Sequence, residues 1–278
     1  MSLPDDGLPI AEVGEWALEK HERLRKYIDI TRAVRRKYTE KLRADEYKGG
    51  ATYIDLFCGP GRARIRETGA IVDGSPLVAF RSAEAGKVPF TEIHIADVNK
   101  DYCDAAIARI ASAGGRAIGY VGPAERTARE IVSKLNPYGL HFAFLDPYNL
   151  ESLAFEAIRC LASLKRMDLL LHVSVLDLQR NLDSYSASEA SPLDSFAPSW
   201  RSKVDLNQAQ PAARAAVMSC WRSELKKLNF TYRGVELVKG SKNQRLYWLV
   251  FLSRSEFAKD LWDKIRHISG QRDLLSGL

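Results

Sequence analysis

Four stretches of the 278-residue chain end an apolar run with groups able to hold a ligand. "YIDLFCGPG" supplies Asp55, Phe57, Gly59, Pro60 and Gly61, and "IHIADV" supplies Asp97. "YVGPAE" supplies Gly122, Ala124 and Glu125, and "FLDPYN" supplies Asp146, Pro147 and Tyr148. Each residue type has a physical use. Glycine lets backbone approach a ligand closely. A carboxylate at a second strand end can accept both hydroxyls of a ribose, and a small residue after a third strand leaves room for an adenine. A carboxylate, a proline carbonyl and an aromatic ring can hold a planar group bearing an amine: the two oxygens accept its hydrogens, and the ring stacks. Any one of these signals is also what a strand cap or tight turn looks like. Four in order, on successive strand ends, form a stronger pattern.

The elements that must position them alternate. The runs TYIDLF, TEIHIADV, AIGYVG, HFAFLD and MDLLLHVSV read as strands, with helices between them. Ser75 with Pro76 is read as the start of the first of these helices, and Asn99 as the cap of the next. That alternation argues for a parallel sheet covered on both faces, with ligands beyond the carboxyl ends of its strands. A helix, "AARAAVMSCWRSELKKLN", and two further strands read as a hairpin follow, then a last helix. The expected fold is therefore α/β: a Rossmann-like methyltransferase sheet of seven strands, mainly parallel, with a C-terminal antiparallel hairpin.

Residues 1–50 read as a basic helical extension and 51–278 as the Rossmann-like domain. Lys20 to Lys48 holds eleven Lys/Arg against five Asp/Glu, matching the whole chain's net charge of +6. Such a cluster suits a nucleic acid, or is a solvated helix face. Apolar residues at helical spacing (Ala17, Leu24, Ile28, Val34) require one side of it to pack, and His21 falls on that side. Asp97 lies 38 residues after Gly59 but 23 after Gly74, and about 20 is usual between the glycines and the acid. Residues 62–73 are thus an insertion at the mouth of the site, whose Arg62, Arg64 and Arg66 could meet a phosphate or carboxylate; the alternative is an exposed basic loop with no fixed partner. Residues 176–204 read as a long polar insertion or lid. No signal peptide, membrane span, CxxC pair or HExxH motif is visible, which excludes a metal site of those kinds and favours a reducing cytoplasm.

"KHERLRKY", "YIDLFCGPGR", "GSPLVA", "FLDPYN" and "LYWLVFLS" resemble, in order and spacing, the three-Cys-motif partner (TcmP) family over roughly residues 20–265. The resemblance implies a methyltransferase-like fold that binds S-adenosylmethionine (SAM), found in bacteria and phage, and a three-Cys-motif partner protein. "LDPY" is similar to the strand-four motifs of adenine-N6 and guanine-N2 methyltransferases, with Asn149 as a departure. On that likeness Asp55, Phe57 and Gly59 to Gly61 would hold the methionine part of SAM, Asp97 its ribose, and Gly122 to Glu125 its adenine. Asp146, Pro147 and Tyr148 would hold an exocyclic amine of a nucleobase in RNA or DNA. The alternatives are a catalytically silent SAM- or nucleotide-binding module, with a role in mobile-element defence, and a nucleic-acid-binding adaptor.

Overall fold

The computed structural model describes residues 6–43, 46–47, 49–239 and 245–266. The chain starts with β1 (Ala11–Val13), α1 (Trp16–Ile30), α2 (Arg32–Thr39), β2 (Lys41–Arg43) and β3 (Glu46–Tyr47). Next come β4 (Ala51–Asp55), the hairpin β5 (Arg62–Ile65) and β6 (Ile71–Asp73), α3 (Ser75–Ala85), β7 (Glu92–Asp97), α4 (Lys100–Ser112), β8 (Ile118–Val121) and α5 (Ala124–Lys134). The second half runs β9 (Leu140–Leu145), α6 (Phe155–Leu161), β10 (Met167–Ser174), α7 (Val175–Ala187), α8 (Pro192–Phe196), α9 (Trp200–Lys203), α10 (Gln210–Lys227), β11 (Thr231–Lys239), β12 (Arg245–Ser253) and α11 (Glu256–Arg266).

Seven strands make the main sheet in the order β11-β12-β10-β9-β4-β7-β8. β8, β7, β4, β9 and β10 run parallel, while β12 is antiparallel to both neighbours. This is the mainly parallel seven-stranded sheet with a C-terminal antiparallel hairpin that the alternation predicts. β4 is buried along its whole length, and β9 and β10 nearly so, because both faces are covered. One face packs against α5 to α8 and α10 through residues such as Ile131, Phe155, Leu178, Phe196 and Trp221. The other packs against α1, α3, α4 and α11 through Leu24, Tyr27, Phe80, Ile110 and Trp262.

Three expectations gain detail. The insertion 62–73 is an ordered hairpin, not a loop, and β5 also pairs in parallel with β1, so three strands form a small second sheet. Residues 176–204 are largely helical, and Leu178, Leu182, Leu193, Phe196 and Trp200 are buried in the core; the polar residues between them had hidden the apolar spacing. The basic extension is two helices split at Thr31, and part of its charge is internal. Lys20, Arg23 and Arg35 are 3%, 6% and 2% exposed. Arg23 forks onto Glu236 of β11, and the Arg35 guanidinium donates to the carbonyls of Val88 and Ile28.

Helix starts follow local chemistry. The Asn99 side chain accepts from the backbone N–H groups of Asp101 and Tyr102, as its type predicts. Ser75 is not the cap of α3; Gly74 is, and the Ser75 hydroxyl bonds Asp55 instead.

Candidate cofactor and acceptor cleft

A cleft of about 1530 Å³ opens at the carboxyl ends of the central strands. Of the sequence-expected residues, Phe57, Gly59, Pro60, Gly61, Asp97, Ala124, Glu125, Asp146, Pro147 and Tyr148 line it. Asp55 and Gly122 do not.

The loop after β4 is shaped from two sides. Gly59 and Gly61 take φ of +54° and +80°, and a Cβ on Gly59 would meet nothing within 4 Å, so backbone faces open space there. Asp97 at the end of β7 accepts the Gly59 N–H at 3.0 Å and the Asn99 N–H at 2.8 Å, one on each oxygen. Burial raises its pKa against these backbone hydrogen bonds. Each oxygen keeps a lone pair for a further donor.

Asp55 stands behind the loop. Its carboxyl accepts from the Phe57 N–H at 3.1 Å and the Tyr53 hydroxyl at 3.1 Å, and burial pushes it up to about 7. β4 is an interior strand, buried along its whole length, so its last side chain is enclosed and orders the loop instead of meeting the cleft. Gly122, after β8, donates its N–H to the Asp97 carbonyl at 3.0 Å and also lies behind the wall.

Two groups the sequence reading missed complete this end. Val98, directly after Asp97, is 71% exposed and lines the cleft beside Pro123 and Ala124; an exposed valine after a strand-end acid is its signal. The small sheet is the other. Ala11, Val13, Arg62, Ala63 and Arg66 line the wall it makes. Arg109, 4% exposed, pins that wall: it donates to the carbonyls of Pro60 (2.6 Å), Pro9 (2.7 Å) and Leu8 (3.2 Å) and forks onto Asp6. The Arg109 hydrogen bond holds the Asp6 carboxyl down to about 2. Arg62 also pairs with Asp6 at 2.9 Å.

At the far end Asp146 follows β9. His172 Nδ1 lies 2.6 Å from Asp146 Oδ1, and the Lys20 ammonium from α1 pairs with Oδ2. Burial alone would raise Asp146; Lys20 and His172 outweigh it and hold the carboxylate below its usual range. Lys20 Nζ sits 4.8 Å from the Trp16 ring centroid and 5.6 Å from that of Tyr247. His172 packs edge-on to Tyr247 at 4.2 Å. His21, read from sequence as a packed histidine, also lines the cleft; burial and the nearby Lys20 push it down to about 4, so it is neutral at pH 7. Tyr148 is 97% exposed at the rim. Neither Lys20 nor His172 could be read from the sequence, because one lies in a basic helix and the other in an apolar strand.

Among the described residues no cluster of His, Cys, Asp and Glu could hold a metal ion, and no helix is long and apolar enough to cross a membrane.

No family model matches the chain and no curated relative matches it, so the TcmP likeness rests on the motifs alone. Solved structures do align with it. An O-methyltransferase from Bacillus cereus in complex with S-adenosylhomocysteine (SAH) is 12% identical over 88% of this chain and 84% of its own, with a TM-score of 0.49. An rRNA methylase from Streptococcus thermophilus is 9% identical over 85% and 95%, with a TM-score of 0.41. A magnesium protoporphyrin IX methyltransferase from Synechocystis PCC 6803 with bound SAH is 14% identical over 86% and 87%, with a TM-score of 0.41.

Proposed function

We propose that the protein is a SAM-dependent methyltransferase whose acceptor lies at the Asp146–Tyr148 end of the cleft. The observation that carries this is the order of groups along one cleft: glycine backbone after β4, Asp97 and Val98 after β7, Pro123 to Glu125 after β8, and Asp146 to Tyr148 after β9. The residues fit the cofactor. Gly59 and Gly61 leave room for its amino-acid end, Asp97 has lone pairs for its ribose hydroxyls, and Val98 with Ala124 offers apolar surface to its adenine. When bound, SAM supplies an electrophilic methyl group on a sulfonium.

The test is calorimetry with SAM. Asp97→Ala should weaken binding by about 1–3 kcal/mol, through loss of a buried acceptor and of the Gly59 hydrogen bond. Unchanged affinity would remove Asp97 from the cofactor site.

For the acceptor, the sequence pointed to an exocyclic amine of a nucleobase. The Tyr148 ring at the rim is placed to stack on a base, which supports a nucleic-acid acceptor. The amine itself would take its hydrogen bonds from Asp146 and the Pro147 carbonyl. Each Asp146 oxygen already carries one intramolecular partner, so an amine would share the carboxylate with Lys20 and His172. The same observation favours a second reading, a SAM-binding module in which Lys20 caps the acceptor position, working with a three-Cys-motif partner. SAM binding without methyl transfer to any cellular nucleic acid or metabolite would select it.

A further inference from the structure

We propose that His172 is the general base of the reaction, oriented by Asp146, and that the acceptor it serves is a hydroxyl rather than an amine. The inference rests on the methyltransferase reading above. It starts from what the two ends of the imidazole meet. Nδ1 is bonded to Asp146 Oδ1 at 2.6 Å. An ionised carboxylate accepts only, so Nδ1 carries the proton and Nε2 is left with its lone pair. Nε2 has no hydrogen-bond partner among the described residues, and His172 lines the cleft.

The ring is not free to turn away. Tyr247 packs edge-on against it, and Trp16 lies 6.3 Å off, centroid to centroid. The charged or titratable groups that face it are Lys20 on α1, Asp146 after β9 and Tyr247 on β12. Burial is the largest influence on His172 and lowers its pKa; the Lys20 ammonium adds to that, and Asp146 opposes it. A neutral imidazole at neutral pH is the form a base needs.

Lys20 adds to the selectivity of this arrangement. Its ammonium keeps Asp146 ionised and takes one lone pair of Oδ2, so an amine acceptor would have to bind that oxygen beside a cation. A hydroxyl needs a group that takes its proton as it becomes a nucleophile, whereas an aromatic amine loses its proton after transfer. The balance closes on the chain's own groups. As the acceptor O–CH3 bond forms, the S–CH3 bonding pair stays with sulfur. The hydroxyl proton passes to His172 Nε2, and the resulting imidazolium, stabilised by Asp146, releases it to water.

Three measurements on the full chain decide it. Nitrogen NMR of the histidines at pH 7.5 should show His172 protonated on Nδ1 and bare on Nε2, a preference that Asp146→Asn abolishes. His172→Asn can still donate to Asp146 but offers no basic nitrogen. It should bind SAM like the wild type and lose methyl transfer at least about a hundredfold, together with the rise of rate with pH through an apparent pKa below the usual 6.5. Tritiated SAM offered with total cellular RNA in one arm and a small-metabolite extract in the other should place the methyl on oxygen, and the arm that labels identifies the source of the hydroxyl. Label on nitrogen, an Nε2-protonated ring, or near wild-type transfer by His172→Asn would overturn the proposal. A wild type that binds SAM and labels neither arm would instead overturn the methyltransferase reading beneath it.

Discussion

Asp55 shows how a single buried carboxyl can set a pH dependence. In an unfolded chain it releases its proton near 3.8, whereas in the fold burial raises it to about 7. A raised folded pKa contributes stability that is fully present below 3.8 and is lost as pH rises through 7. At neutral pH the strand-end loop therefore stands on a carboxyl close to half-ionised. Asp55→Asn resembles the protonated form and cannot titrate. Between pH 4 and 8, denaturant melts should show the wild type losing up to about 4 kcal/mol relative to Asp55→Asn. Parallel curves would mean that Asp55 ionises in the fold as it does in solvent. At this scale the sequence was legible where strand ends meet the cleft, since topology alone places those residues. It was not legible for Lys20 and His172. Along β10, Asp168, Leu170 and His172 share one face by the alternation of a strand, and the packing of α1 on that face adds partners no local pattern announces: Tyr27 for Asp168, Trp16 and Lys20 for the Asp146–His172 pair.

Among the elements, the insertion after the glycine loop is the one whose use changes most between sequence and structure. The 38-residue separation of Gly59 and Asp97 revealed that something was inserted, but not that it would pair with residues fifty positions upstream. Strand pairing is a long-range choice, and β1, three residues long, has too little pattern to announce it. Arg109 then joins this second sheet to the glycine loop after β4, since it binds Asp6, Leu8 and Pro9 on one side and Pro60 on the other. Arg109→Ala should destabilise the fold by about 1.5–3 kcal/mol, the scale of losing charge-assisted hydrogen bonds. Amide exchange at Ala11 to Val13 should accelerate more than at β4. Equal protection at both would show that the small sheet holds without its arginine. The helix starts were legible to different degrees for a plain reason: Asn99 has one strand-end geometry to satisfy, whereas Ser75 has a buried carboxyl within reach and goes to it.

For the whole molecule, the charge that looked like one basic surface divides in two. Lys20, Arg23 and Arg35 are spent inside, on Asp146, Glu236 and backbone carbonyls. Arg25, Arg32, Arg36 and Lys37 remain exposed on the outer side of α1 and α2. If that side tracks phosphates, neutralising Arg36 and Lys37 together should make the log–log salt dependence of RNA binding shallower by about two units. An unchanged slope would mark them as a solvated face. Composition gave the number of charges correctly, but burial, which composition does not contain, decides how many can meet a partner.

The acceptor end of the cleft also has a history in time. Its Trp16 and Lys20 belong to the first helix, yet the Trp16 carbonyl is held by the Tyr247 hydroxyl 231 positions later, and Arg23 by Glu236, 213 positions later. A ribosome adding roughly 5–20 residues per second needs roughly 10–45 s to supply those partners. For that interval the first helix can bury Tyr27 against Phe142 of β9 but lacks Phe251 and Trp262, while β4, β7 and β9 already have one another. The Gly59–Asp97 half of the cleft can thus assemble on the nascent chain before Tyr247 and Glu236 arrive to fasten the first helix beside Asp146. On the proposed reading, the nascent chain would hold its cofactor end before its acceptor end is fastened.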